Sequence, residues 1–321
     1  MVTKAIDFCV GWGPWPDEPF ADMIRQHCRE RGLTCVFCKD QNVRRIIKGT
    51  ATGTTPVRFH LDLGADYEDA GDDYARLGYV VKDSGAVVVN EPDPARLAAN
   101  KAILHYRFEQ AGIPVPYTVI VRSWEPDSFA LTAAERKKLG RPFIIKPACG
   151  YGKRGVVKVD SHSLEEISRA RRFDKDDDFL LQQLVEPEWF GHHRGWFRVF
   201  YILGEVIPCW WDNLTEHYAC VTVEDFAQYD LMPLCDIVRQ IARTALMNYF
   251  TTELAIVGRG ANRRCLAIDY VNDLSDTTLQ SHSHCGVPDR VVSRLAERLA
   301  EGAWRVKKGL NPTAGMSIWL S

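Results

Sequence analysis

The chain has 321 residues, 46% hydrophobic and 26% charged, with 40 basic and 42 acidic side chains and a net charge of −2. That length suits roughly two or three domains with sizeable cores. The near-balance of charge excludes the bulk electrostatics of a nucleic-acid-binding or polybasic membrane-surface protein and leaves small-molecule chemistry as the default. No apolar run approaches the ~18 residues of a membrane span, and MVTKAIDFCV lacks the apolar core of a signal peptide, so a cytoplasmic location is expected. The 10 cysteines are scattered through mostly apolar stretches and read as free thiols.

In chain order, AIDFCV reads as a first strand, and GWGPWPDEPF as a loop whose glycines and prolines exclude regular structure. Trp12 and Trp15 in that loop either face a ligand or pack it down. ADMIRQHCRERG predicts an amphipathic helix with Met23, Ile24 and Cys28 on one side and Gly32 beyond its end. TCVFC is a second strand; its Cys35 and Cys38 form a CxxC without the second ligand pair of a zinc site, which favours a buried strand. NVRRIIKG predicts a helix, PVRFHLDL a strand, EDAGDDYARLGYVVKDSG a connecting segment and AVVVN a strand. Strands alternating with helices predict a parallel sheet covered on its faces over residues 1–95. Ligands bind beyond the carboxyl ends of such strands, so His60, Asp62 and Asn90 either line a site or are polar strand ends.

EPDPARLAANKAILHYRFEQAGIPVP predicts a helix from Arg96 to Ala111, stopped by Gly112 and carrying Lys101. RPFIIKPACGYGKRGVVKV, residues 141–159, reads as strand, glycine loop, strand. Gly150, Gly152 and Gly155 let backbone amides approach phosphate oxygens, and Lys146, Lys153 and Arg154 add positive charge. GYGKRG also matches GxGxxG and the protein-kinase loop, but a strand follows rather than a helix, and no HRD, DFG or GxxxxGK[ST] string occurs. A plain hairpin turn is the competing reading. DFLLQQLVEPEW predicts a strand at 179–185, and YILGEVIPCWWDN two strands joined at Gly204 with Trp210 and Trp211 near the substrate side. FTTELAIVGRGANRRCLAIDYVND predicts paired strands with Arg259, Arg263 and Arg264 around the turn. His282, His284 and Cys285 fall in a polar loop with no obvious further metal ligand. The last helix, QSHSHCGVPDRVVSRLAERLAEGAW, turns Val291, Val292, Leu295 and Leu299 to one face as core.

The order VVVNEP, NKAILHYRFEQAGIPVP, FIIKPACGYGKRGVVKV, FLLQQLVEPEW, WFRVFYILGEVI and CLAIDYVND resembles the ATP-grasp superfamily, whose members include glutathione synthetase and D-alanine:D-alanine ligase, over about residues 85–285. The resemblance implies an α/β fold in which two lobes enclose ATP. Residues 1–95 would be a substrate-side α/β domain, 96–182 the central lobe with the phosphate loop, and 183–321 the carboxy-terminal lobe with a magnesium site. It gives Lys101 and Lys146 as the lysines reaching the ATP phosphates, and Gly150, Gly152, Lys153 and Gly155 as the loop closing over them. It gives Gln183, Leu184 and Val185 as adenine contacts, and Arg198 as a phosphate or carboxylate contact unless it only packs or forms a salt bridge. Glu253, Asp269 and Asn272 would hold Mg2+.

The departures from the family pattern are specific. Gln183 stands for the usual glutamate, and Trp196, Phe197 and Arg198 stand where relatives have D-x-R, leaving Glu188 as the nearest ribose-binding acid. Asp269 and Asn272 are spaced so that strand alternation sends them to opposite faces, unless a bulge intervenes or Asp273 takes part. The implied activity is an ATP-dependent carboxylate-amine ligase that forms an acyl phosphate and releases ADP and phosphate. A small-molecule kinase and a non-catalytic ATP-binding protein are the alternatives. Small carboxylates and amines are the implied partners, and a homodimer is in keeping with the resemblance.

Overall fold

β1 (Ile6–Trp12) is buried at every position, as an inner strand covered on both faces must be. The computed structural model describes residues 5–13, 17–126, 128–150, 152–313 and 315–321, so Trp15 lies outside the described residues. α1 (Glu18–Glu30), β2 (Cys35–Cys38), α2 (Val43–Ala51), β3 (Val57–Leu63), α3 (Asp73–Asp83) and β4 (Val87–Val89) follow in alternation. The strands form a parallel sheet in the order β2-β1-β3-β4. Trp12 is core: it is 4% exposed and meets Phe37 edge-on with ring centroids 5.2 Å apart. The cysteines are free thiols, and Cys9 and Cys38 bring their sulfurs within 3.3 Å in the interior.

The helix expected from Arg96 to Ala111 is two helices, α4 (Pro92–Ala98) and α5 (Lys101–Ala111). Asn100 is extended, and its side-chain oxygen accepts from Ile103 N at 3.0 Å, an N-cap that starts a new helix. Lys101 therefore opens α5 instead of standing mid-helix, and its own N–H donates to Ala148 O at 2.9 Å. Gly112 ends α5 in the left-handed conformation at φ 71°.

Next come β5 (Thr118–Val121), α6 (Ala133–Leu139), β6 (Phe143–Pro147), β7 (Val157–Val159), α7 (Leu164–Arg171) and β8 (Phe179–Gln183). Their strands form an antiparallel sheet in the order β5-β8-β6-β7. β8 stops at Gln183, two residues short of the expected strand.

Beyond it come β9 (Trp189–Phe190), β10 (His193–Arg194), β11 (Trp196–Ile202), β12 (Glu205–Asp212), β13 (His217–Cys220), α8 (Val223–Gln228) and α9 (Met232–Ala245). β14 (Tyr249–Val257), β15 (Arg264–Asn272), α10 (Asp289–Lys307) and β16 (Ser317–Ile318) complete the chain. The large sheet runs β13-β12-β11-β14-β15, with β16 beside β12.

α10 ties this sheet to the amino-terminal one. Val291, Val292, Leu295 and Leu299 enter a core shared with Phe8 and Phe59 on one side and Phe200, Ile207 and Tyr249 on the other. Gly302 sits where a Cβ would come within 2.4 Å of Leu203 Cδ1, so the side chain of Leu203, in the turn after β11, packs directly on the helix backbone there. α5 and α9 cover the opposite face around Phe108, Ile241 and Tyr270. Asn90 is a clasp between the two sheets rather than part of a pocket wall. Its Nδ2 donates to Tyr249 O at 2.6 Å, and its Oδ1 accepts from Asn248 N and Tyr249 N at 2.8 and 2.9 Å. Among the described residues no helix is long and apolar enough to cross a membrane.

Candidate functional site

The register of β14 against β15 sets the site. Glu253 lies opposite Asp269 and Thr251 opposite Asn272, so β15 holds one residue more than β14 between these pairs, and the register shifts there. The extra residue is a bulge that turns Asp269 and Asn272 to the same side, where strict alternation would separate them. Glu253, Asp269, Asn272 and Asp273 line one cavity of about 1030 Å³.

Two carboxylates and an amide oxygen are the hard donors that magnesium takes. Among the described residues no group of three or more His, Cys, Asp and Glu side chains could hold a metal by itself. Glu253, Asp269 and Asn272 would leave the other positions of an octahedral shell to water and ligand oxygens.

Cations face these acids. Lys146 is 6% exposed, donates from Nζ to Ile268 O at 3.0 Å, and stands 4.0 Å from Asp269 Oδ1. Burial pushes its ammonium below the ordinary lysine value, and Asp269 pulls it partly back. Burial alone would raise Asp269, but the charges of Lys101, Lys146 and Arg198 override it and hold the carboxyl below its usual value. Arg198 donates to Glu253 Oε1 at 2.5 Å and to the Tyr218 hydroxyl at 3.2 Å, while Trp196 Nε1 donates to Glu253 Oε2 at 3.3 Å. Arg198 is thus both a salt-bridge partner and part of the cavity wall.

Cys149, Gly150, Gly152 and Lys153 of the glycine loop line the cavity. Lys101 Nζ donates to Gly150 O at 2.6 Å, which anchors the loop to the start of α5. Gly152, Lys153 and Gly155 all have positive φ, at 61°, 60° and 72°. Lys153 pairs with Glu216 and lies 5.7 Å from the Trp211 ring, so it ties the glycine loop to the β12–β13 hairpin. A Cβ on Gly155 would meet Phe173 Cδ1 at 2.6 Å. Gly155→Ala is expected to cost about 2 kcal/mol, from the left-handed backbone and the clash together. Urea denaturation would show it, and adding Phe173→Ala should recover the part due to the clash.

Several expected site residues lie elsewhere. Alternation brings Gln182 inward, not Gln183: Gln182 is 3% exposed and donates to the Tyr270 hydroxyl at 3.3 Å, whereas the Gln183 side chain is exposed. Gln183, Leu184, Val185 and Glu188 are not on the wall of the large cavity. Val185 is buried in the core shared with Trp196, and Glu188 lies 3.8 Å from Arg263. Lys146 and Gly155 are also off the wall, Lys146 meeting the cavity through Asp269. Of the paired tryptophans only Trp211 lines the cavity; Trp210 stacks on His193 at 4.7 Å in the core of the other face. Sequence reasoning missed Glu216, Tyr218 and Asp276, and it set Cys285 aside as a weak metal ligand although it reaches the cavity wall.

His60 and Asp62 lie on β3, outside that wall. His60 is fully buried, with Nδ1 3.1 Å from Cys9 O, and burial pushes its imidazole down to about 4. Asp62 accepts from Gly64 N, Ala65 N and the Tyr67 hydroxyl, yet burial pushes its carboxyl up to about 6. As pH falls from about 6.5 to 4, the unfolded chain protonates His60 before the folded one does, and stability is lost. Over nearly the same range the folded chain protonates Asp62 before the unfolded one, and stability is gained. Each contribution is about 3 kcal/mol, so they nearly cancel. Asp62→Asn is expected to unmask a fall in stability on acidification and His60→Gln a rise, both read from urea melts between pH 7 and 4.

No family model matches the chain. A tetrahydromethanopterin:alpha-L-glutamate ligase of Methanosarcina acetivorans is 32% identical over 103 residues, which is 32% of this chain and 29% of that protein. The match thus spans under a third of the relative's length. Among solved structures, a RimK domain ATP-grasp protein from Sphaerobacter thermophilus superposes with a TM-score of 0.62 at 19% identity, covering 91% of this chain and 97% of the other. A D-alanine–D-alanine ligase from Bacillus anthracis, complexed with ATP, superposes with a TM-score of 0.62 at 16% identity, covering 94% and 98%.

Proposed function

We propose that this chain, which has the ATP-grasp fold, is an ATP-dependent carboxylate-amine ligase. The observation that carries the reading is convergence. Lys101, the glycine loop, Arg198 and the Glu253–Asp269–Asn272 edge all face one cavity, with Lys146 directly behind Asp269. The partial match to a glutamate ligase supports it. In this reading residues 1–95 form the substrate-side domain, and residues 96–182 and 183–321 form the two lobes around the nucleotide. Small carboxylate and amine substrates, a cytoplasmic setting and a homodimer belong to the same reading.

The reaction is transfer of the terminal phosphoryl group of ATP to a substrate carboxylate, releasing ADP, followed by attack of a neutral amine and departure of phosphate. Lys101 and Lys146 offset the negative charge that accumulates on the phosphoryl oxygens. Glu253, Asp269 and Asn272 would hold magnesium, which supplies further charge neutralisation when bound. Arg198 offers a planar fork toward a phosphate or carboxylate while Glu253 fixes its orientation. The loop from Cys149 to Gly155, latched by Lys153 on Glu216, keeps water from the acyl phosphate.

The test is ADP release from magnesium-ATP with pooled organic and amino acids, with and without hydroxylamine, products being read by mass. A hydroxamate establishes carboxylate activation and identifies the acid. ADP together with a stable phosphorylated alcohol, and no hydroxamate, would replace the ligase by a kinase.

A further inference from the structure

Trp196, which stands where relatives carry the acid of D-x-R, is not on the wall of the large cavity. It is two residues from Arg198 on β11, so the two side chains share one face of the sheet. Glu253 lies directly opposite Arg198, and Ala255 directly opposite Trp196. Glu253 is therefore the diagonal neighbour of the indole, a separation of about 7–8 Å that an aromatic side chain can span. The small side chain of Ala255 leaves the indole room to lean that way, and its Nε1 donates to Glu253 Oε2 at 3.3 Å. Arg198 donates to the other oxygen, Oε1, at 2.5 Å. Each oxygen of Glu253 thus has one protein donor and keeps acceptor capacity for another. The indole is 7% exposed, in the core that also holds Val185, Ala255 and Ile268. Packed there, it holds the carboxylate rather than following it.

We propose that Trp196 is a positioning residue for Glu253: by holding Oε2 it keeps the carboxylate in one orientation on the cavity wall, and so sets the affinity of this edge for a divalent cation. The role rests on the magnesium site of the ligase reading, but not on turnover. A carboxylate already held by hydrogen bonds gives up little freedom when it takes an ion, and loss of such a support typically costs 10–100-fold in affinity, on the order of one or two decades. An indole N–H suits the task because it donates without carrying charge. A second cation at 196 would compete with the ion for Glu253, and an acid would set like charge on the same face.

Electron paramagnetic resonance of Mn2+ added to the full chain with a non-hydrolysable ATP analogue reads that affinity. Trp196→Phe is expected to weaken Mn2+ binding by ~10-fold. Because phenylalanine also removes ring volume, a second chain carries 3-benzothienylalanine in place of Trp196, which keeps the bicyclic shape and has sulfur where the N–H was. It should show a similar loss. In protein labelled with 5-fluorotryptophan, the fluorine resonance that Trp196→Phe removes should move when Mg2+ is added, and should stay in place in Glu253→Gln. If the benzothienyl chain binds Mn2+ within about two-fold of wild type, Trp196 only packs and the proposal is overturned. A Trp196 resonance that ignores Mg2+ in wild-type protein overturns it as well. Mn2+ binding left intact by Glu253→Gln would remove Glu253 from the metal site, and the proposal with it. The hydroxylamine assay reports on the ligase separately: a chain that shows the Trp196 effects yet yields no hydroxamate keeps the positioning role and loses the ligase.

Discussion

Asp269→Asn is expected to lower magnesium-ATP turnover by ~10³-fold, and Lys146→Met by a similar factor, the scale found when a preorganised charge is removed from a transition state. The two residues work against each other's burial. Lys146 is 6% exposed and stands 4.0 Å from Asp269; Asp269 is held ionised by Lys101, Lys146 and Arg198 against its burial. An asparagine at 269 keeps the shape of the donor edge and removes its charge, which weakens the hold on a hard cation and leaves Lys146 less compensated. Methionine at 146 fills the same space and leaves Asp269 with fewer cations around it. ADP release measured at saturating ATP and magnesium, with circular dichroism to confirm folding, checks both. Turnover within a few-fold of wild type for Asp269→Asn would remove this residue from the metal site, and with it the pairing opposite Glu253 on which that assignment depends.

The parallel sheet, the paired strands and the glycine loop were legible because each is a local pattern: apolar runs, turn residues and a cluster of glycines at fixed spacing. The acidic edge of the cavity was only half legible. Asp269 and Asn272 belong to opposite faces by alternation, and only the pairing of Thr251 with Asn272 and Glu253 with Asp269 shows that the strand bulges. The helix break at Asn100 did have a signal, since asparagine before KAIL is a good N-cap, but two successive apolar-rich segments read more simply as one. Gln182 and Gln183 could not be separated locally, because the hydroxyl of Tyr270, which favours Gln182, comes from a strand 88 residues away. Glu216, Tyr218, Asp276 and Cys285 reach the cavity from the β12–β13 hairpin and from the segment after β15, and nothing in their neighbours marks them.

Asn90→Ala is expected to destabilise the folded chain by about 4 kcal/mol, among the larger effects available from one side chain. The truncation removes three hydrogen bonds and leaves Asn248 N–H, Tyr249 N–H and Tyr249 C=O without their partner. Each such group costs about 1–3 kcal/mol when water cannot replace the lost bond, and Asn90 is only 4% exposed. Asn90→Asp should be no milder: it keeps an acceptor for the two N–H groups but turns a carboxylate oxygen toward the Tyr249 carbonyl in a buried place. Tyr249 begins β14, the strand that carries Glu253. The clasp therefore fixes the amino-terminal sheet against the strand that brings Glu253 to the cavity. Urea midpoints for the two variants test the stability argument. A loss below about 1 kcal/mol would mean that the backbone groups find other partners, and that α10 and the shared core suffice to join the sheets.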